Sequence, residues 1–142
     1  MTLSQPVSRS HSESDTMNLA RELAGTVGGG TVILLFGELG AGKTAFVRGL
    51  VDGLDGDPGQ VSSPTFTLIQ PYRARLTVQH VDLYRLEPRD VEDLGLDELA
   101  TDESIVVVEW AERMPMLPPQ AVYVRIEDAG GDERSIEIEW PA

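Results

Sequence analysis

Cysteine is absent from the 142 residues. That removes disulfides, thiolate metal ligands and cysteine nucleophiles, and it fits a reducing compartment. Lysine is almost absent too. Lys43 is the only one, and every other basic side chain is an arginine. Basic residues are scarce altogether, 11 Lys and Arg against 24 Asp and Glu, for a formal net charge of -13 at pH 7. Phosphate neutralisation supplies most of the affinity of proteins for nucleic acid, so strong direct nucleic-acid binding by this chain is not expected. The arginines do not cluster, apart from Arg73 and Arg75. No apolar run approaches the ~18 residues of a membrane span. The N-terminus also lacks the charged-then-apolar order of a secretory signal. The expectation is a cytoplasmic protein with no membrane attachment.

What remains is the composition of one globular domain. Hydrophobic residues make up 41% and charged residues 25%, and the length suits one core rather than two. Residues 1–12 are Ser-rich and poor in apolar side chains, so they read as a mobile tail ahead of a domain over 13–142. Ser14 or Asp15 is the expected cap of a first helix, with Leu19, Leu23 and Val27 on one stripe and Ala20 and Ala24 beside it. The glycines at 28–30 end that helix and read as a connector.

One stretch carries specific chemistry. Gly37-Glu38-Leu39-Gly40-Ala41-Gly42-Lys43-Thr44 has the spacing of a phosphate-binding loop, Gly, four residues, then Gly-Lys-Thr. Glycines let successive N–H groups turn inward on a phosphate. The lysine adds a compact positive charge that reaches the β- and γ-phosphates, and the threonine hydroxyl can ligate Mg²⁺. Both flanks agree. The apolar run 31–36 reads as a strand, and Ala45 to Val51 has apolar residues at helical spacing. The positive end of that helix would face the same anion. A lone lysine at this position fits a site that needs an ammonium among phosphate oxygens.

Further along, Asp52 to Gly59 reads as a solvated turn, since its spaced aspartates lack the rest of a calcium loop. Ser62-Ser63-Pro64-Thr65 reads on its own as a proline-initiated turn, and it lies where phosphate-loop switches keep a γ-phosphate-sensing segment. Residues 67–72 and 76–84 read as paired strands, the second placing His80 and Asp82 on one face. Asp82 is a candidate Mg²⁺ ligand, whereas His80 reads as a hydrogen-bonded structural residue. Short helices broken at Gly95 are expected over 88–99, their acids forming a solvated face. Residues 104–110 form a buried strand ending on a carboxylate, the Walker B form. There Glu109 can hold Mg²⁺ or polarise the attacking water, and Trp110 packs beneath the site or in the core. A last hairpin joins 121–127 to 134–140 about Ala129 to Asp132, with Arg134 read as a surface arginine and kept as a further candidate for the nucleotide.

In this order and within this length, the Gly-Glu-Leu-Gly-Ala-Gly-Lys-Thr loop, Ser-Pro-Thr-Phe, His80-Val81-Asp82-Leu83-Tyr84-Arg85-Leu86 and Glu109-Trp110 resemble the TsaE family, also called YjeE. The resemblance runs from about residue 14 to the end. It implies a small single-domain P-loop ATPase of α/β class, a mixed parallel and antiparallel sheet with hairpins, flanked by helices. It also implies a role in making N6-threonylcarbamoyladenosine on tRNAs that read ANN codons. The family acts with TsaB and TsaD, a TsaC-type enzyme supplying the threonylcarbamoyl-adenylate donor. ATP and Mg²⁺ are the implied cofactors, and tRNA is met indirectly through the partner complex. ATP hydrolysis is implied to support turnover, not to perform the transfer. The metal and catalytic positions map onto Thr44, Asp82 and Glu109 beside Lys43. The nucleotide contacts map onto residues 37–44 with Ala45, and the switch-like loop onto 62–66. Glu38 stands where an aspartate is common.

Other P-loop classes fit less well. A GTPase needs an Asn-Lys-x-Asp base reader, for which no second lysine exists. A small-molecule kinase needs an acceptor pocket and an arginine-rich lid, and nothing in 85–104 supplies them. A nucleotide sensor that binds without hydrolysing stays open at this level.

Overall fold

The apolar runs that read as strands form the middle of one mixed sheet. The computed structural model describes residues 2–4, 8–37, 42–61, 69–84, 86–87, 90, 95–115, 117–118 and 120–141. In chain order the elements are β1 (Thr2–Ser4), β2 (Ser8–Ser10), α1 (Glu13–Ala24), β3 (Val32–Phe36), α2 (Lys43–Gly53), β4 (Ile69–Tyr72), β5 (Thr77–Asp82), α3 (Leu96–Leu99), β6 (Ser104–Glu109), β7 (Val122–Gly130) and β8 (Glu133–Pro141). Single 3₁₀ turns lie at Pro58–Gln60 and Ala111–Arg113.

Among these residues the sheet has eight strands in the order β1-β8-β7-β3-β6-β5-β4, with β2 also on β8. The four central strands, β7, β3, β6 and β5, are parallel. The outer pairs β7–β8 and β4–β5 are antiparallel hairpins. A parallel strand is covered on both faces, so it needs an unbroken apolar run. β6 is the clearest case, with all six residues buried. Ile33 and Leu35 of β3 face α1 and α2 together with Val107 and Val124. Leu34 and Phe36 face the other layer, with Val106, Val108 and Leu83, against which Leu96 and Leu99 of α3 pack. The expected fold class is therefore the observed one.

Helices α1 and α2 cross with their backbones nearly touching. A Cβ built on Gly49 would meet the Met17 carbonyl oxygen at 2.3 Å and the Ala20 Cβ at 2.7 Å, and one on Gly53 would meet the Ala24 Cβ at 2.7 Å. Ala20 and Ala24 are fully buried there, whereas Leu19 lies at the margin of the core. The small residues thus form the seam. Arg21 pairs with Asp52 across it. Gly49→Ala should destabilise the fold by about 1–3 kcal/mol through overpacking, even though alanine is the better helix former by ~1 kcal/mol. A denaturant-unfolding midpoint no lower than that of the unsubstituted protein would contradict this close approach.

Three sequence expectations are corrected. The cap of α1 is Ser12, not Ser14 or Asp15. The Ser12 Oγ accepts the Asp15 N–H at 3.1 Å, while the Asp15 carboxylate accepts the His11 N–H at 2.9 Å. Asp15 is the third helical position, and its carboxylate reaches back to the residue before the cap rather than to the cap's own N–H. Residues 1–12, read as a tail, supply β1 and β2 to the free side of β8. Ser10 is buried, its Oγ hydrogen-bonded to Thr16 Oγ1 at 2.7 Å. Backbone pairing at a sheet edge needs little apolar content, so the segment's composition did not reveal it. The last hairpin is longer than expected, turning at Gly131-Asp132 after an irregularity between Asp128 and Gly130. The expected helices over 88–94 lie largely outside the described residues. After them α3 begins from Gly95, in the left-handed region at φ 64°.

Candidate functional site

The candidate catalytic side chains gather at the carboxyl ends of the central parallel strands. Gly37 follows β3, Lys43 opens α2, Asp82 ends β5 and Glu109 ends β6. Asp82 and Glu109 are register partners, and Glu109 is in turn opposite Leu35 of β3. β3 lies between β6 and β7, strands that follow it in sequence on either side. Ligands of open α/β sheets bind outside the strand ends where the chain order diverges in this way. Alternation puts Asp82 and Glu109 on the same face as Val78 and Val107, the face covered by α2.

The start of α2 suits an anion. Gly42 is its N-cap at φ 101°, a left-handed conformation that a side chain would strain, and no side chain caps the helix. By contrast, Ser12 caps α1 and Asp57 caps the 3₁₀ turn at 58–60. No acid lies in the first turn of α2, so its positive end is left for a ligand. Arg134 approaches the same glycine. A Cβ on Gly42 would lie 3.9 Å from Arg134 Cγ. The Arg134 guanidinium donates to the carbonyls of Gly131 and Glu133 and pairs with Asp128 at 3.5 Å.

Lys43 is only 4% exposed. Its Nζ donates to the Gly37 carbonyl at 2.8 Å and lies 3.7 Å from the centroid of the Trp110 ring. Burial lowers its pKa, and the charges of Glu109, Glu112 and Asp82 act against that shift. Trp110 sits at φ 61°, costly for a bulky residue by roughly 1–3 kcal/mol. Its ring also contacts Tyr84, with centroids 4.9 Å apart. Trp110 thus roofs the lysine and also packs against the core cluster that holds Leu34 and Val108, so its two expected places do not exclude each other.

The carboxylates differ in their settings. Burial pushes the Asp82 carboxyl up. The Tyr84 N–H, donating to Asp82 Oδ1 at 2.9 Å, opposes the rise, and the neighbouring Glu109 charge adds to it. Glu109 is 4% exposed and accepts a hydrogen bond from buried His80, Nε2 to Oε2 at 2.5 Å. Thr44 is half-buried in the first turn of α2, and Ala45 is buried behind it. Among the described residues no group of three or more His, Cys, Asp or Glu can hold a metal by itself. Mg²⁺ is commonly held by one or two carboxylates with substrate phosphates and water, so Thr44, Asp82 and Glu109 fit that ion rather than a protein-only cage.

Sequence reasoning missed Glu112. Its carboxylate accepts the Gly37 N–H at 3.2 Å, holding the first loop glycine from the 3₁₀ turn at 111–113. Glu112, Gly37, Phe36 and residues 125–128 border a cavity of about 390 Å³ beside the loop. The candidate positions Glu38, Leu39, Gly40, Ala41, Ser63, Pro64 and Thr65 lie outside the described residues.

Comparison with known proteins agrees with this arrangement. The family model described as threonylcarbamoyl adenosine biosynthesis protein TsaE matches residues 10–136. A tRNA threonylcarbamoyladenosine biosynthesis protein TsaE from Nostoc sp. strain PCC 7120 is 44% identical over 133 residues, covering 89% of this chain and 80% of the relative. Its namesake from Bacillus subtilis strain 168 is 41% identical over 130 residues, covering 90% and 81%. The crystal structure of YdiB from Bacillus subtilis superposes with a TM-score of 0.78 at 31% identity, over 100% of this chain and 88% of that one. Loop, paired strand-end carboxylates and sheet order thus coincide with a family match over most of the length, and the chain belongs to the TsaE family.

Proposed function

We propose that this chain is the ATP-hydrolysing component of N6-threonylcarbamoyladenosine synthesis on tRNA, binding Mg²⁺–ATP at residues 37–45 and acting with a TsaB–TsaD pair. One observation carries the reading. A buried lysine at the uncapped start of α2 faces two carboxylates on adjacent parallel strand ends, one of them clamped. Lys43 would neutralise the phosphates. Thr44 and Asp82 would hold the metal with Glu109, which would also orient the attacking water. Bound Mg²⁺ would offset charge developing on the phosphoryl oxygens. Arg134, beside Gly42, is placed to reach the nucleotide only if it gives up its carbonyl contacts. The names of the relatives support the pathway. The net charge of -13 supports meeting tRNA through partners.

Phosphoryl transfer needs compensating charge around the transferring group. Arg134, beside Gly42, is engaged by the carbonyls of Gly131 and Glu133 and by Asp128, so a partner is expected to complete the site. Phosphate release from the chain alone should be slow, and the TsaB–TsaD pair should raise it by about tenfold or more. ATP should outcompete GTP. A fast rate alone, indifferent to the partners, would mean that the site is complete within the chain. A preference for GTP would count against the whole reading.

A further inference from the structure

Three buried side chains cross three strands in one line. Tyr72 of β4 is 2% exposed and His80 of β5 is 0% exposed. Tyr72 Oη lies 3.1 Å from His80 Nδ1, and His80 Nε2 lies 2.5 Å from Glu109 Oε2 on β6. An ionised carboxylate offers only acceptors, so Nε2 carries the hydrogen. In the neutral ring Nδ1 is then the acceptor, and the tyrosine hydroxyl donates to it. The acceptor-only carboxylate selects the Nε2–H tautomer, and the tyrosine hydroxyl meets the other nitrogen of the same ring.

We infer that His80 is a positioning residue for Glu109, held between that carboxylate and the Tyr72 hydroxyl with its Nε2–H toward the carboxylate, so that Glu109 would meet Mg²⁺–ATP in one orientation. The inference rests on the proposed role of Glu109. Its structural half, the clamp, stands apart from any activity. Glu109 ends its strand beside Trp110 with its positive φ, where a glutamate with several rotatable bonds would otherwise sample many rotamers. The clamp removes that freedom before the nucleotide arrives. Fixing a catalytic group through the far nitrogen of an imidazole is an efficient device, because the ring is rigid and its two nitrogens point apart. The third member, Tyr72, sits on the edge strand β4, eight residues from His80 in sequence, so the β4–β5 pairing that brings it there supports the orientation of Glu109.

Two arms test this. The chain has two histidines, so a His11→Gln background isolates His80 in a long-range ¹H–¹⁵N spectrum of labelled full-length protein. The expected signature is a protonated Nε2 and an unprotonated Nδ1, with the Nε2 proton shifted on Glu109→Gln. An Nδ1–H tautomer, or no response to Glu109→Gln, would overturn the clamp whether or not the protein hydrolyses ATP. In the second arm, His80→Leu should lower the partner-stimulated rate at saturating ATP by about 10- to 100-fold, leaving ATP affinity nearly unchanged. His80→Gln, whose amide nitrogen can stand in for Nε2, should recover most of the loss. Equal rates for His80→Leu and the unsubstituted protein would overturn the positioning role. So would a Gln variant that is folded yet no better than Leu. Absence of hydrolysis in the unsubstituted protein with partners would instead strike the proposed function, leaving the spectrum to decide the clamp.

Discussion

Lys43→Ala should weaken ATP binding by on the order of 100-fold, the scale of losing a buried charge-assisted contact. No other lysine exists to take its place. Arginine should not substitute, since a planar fork is a different shape from a compact ammonium on a flexible stem. The fold itself should persist. Burial of the lysine charge is unfavourable, and its removal offsets the lost contacts with the Gly37 carbonyl and the Trp110 ring. Calorimetric titration with ATP, alongside a thermal melt without nucleotide, checks both halves. Unchanged affinity in a folded variant would end the phosphate-loop assignment. A collapsed melt would show that the lysine is there for structure.

Glu109→Gln separates binding from chemistry. The substitution keeps the shape and an oxygen to accept from His80, but it removes the charge. Hydrolysis with partners present should fall by about 100-fold or more, the usual scale for a positioned general base. ATP should still bind, because Lys43 and the start of α2 are untouched. Single-turnover phosphate release reads the first, and equilibrium binding of labelled ATP reads the second. Parallel loss of both would make Glu109 chiefly a metal-binding or structural group. An undiminished rate would remove it from the chemistry altogether.

Local signals made the scaffold legible. β3, α2 and β6 each carry their own periodicity, and Gly42-Lys43-Thr44 completes the phosphate-loop spacing in the sequence itself. The β4–β5 and β7–β8 hairpins were visible for the same reason. What stayed hidden depends on register between strands distant in sequence. His80 and Glu109 are 29 positions apart, and nothing near either residue states that β5 and β6 pair in parallel. His80 accordingly read as structural, whereas its partner proves to be a candidate catalytic carboxylate. Glu112 reaches back 75 positions to Gly37, a contact with no local pattern at all. The proximity of Arg134 to Gly42 likewise follows from the β7–β8 register. Ser12 was the more avoidable miss, because Ser12 and Asp15 have capping-box spacing, with aspartate in place of the usual glutamate.

The solitary, roofed lysine governs how the protein responds to covalent reagents. Apart from the amino terminus, active esters and other amine-selective acylating agents have one target, and it is 4% exposed. Burial lowers its pKa, so a larger share of it is the nucleophilic free base at a given pH, while the narrow access slows any bulky reagent. Lysine-to-lysine cross-linkers are therefore nearly blind to the outer surface of this chain. With 24 Asp and Glu side chains, carboxyl-directed coupling is the chemistry that can map which of its faces a partner covers.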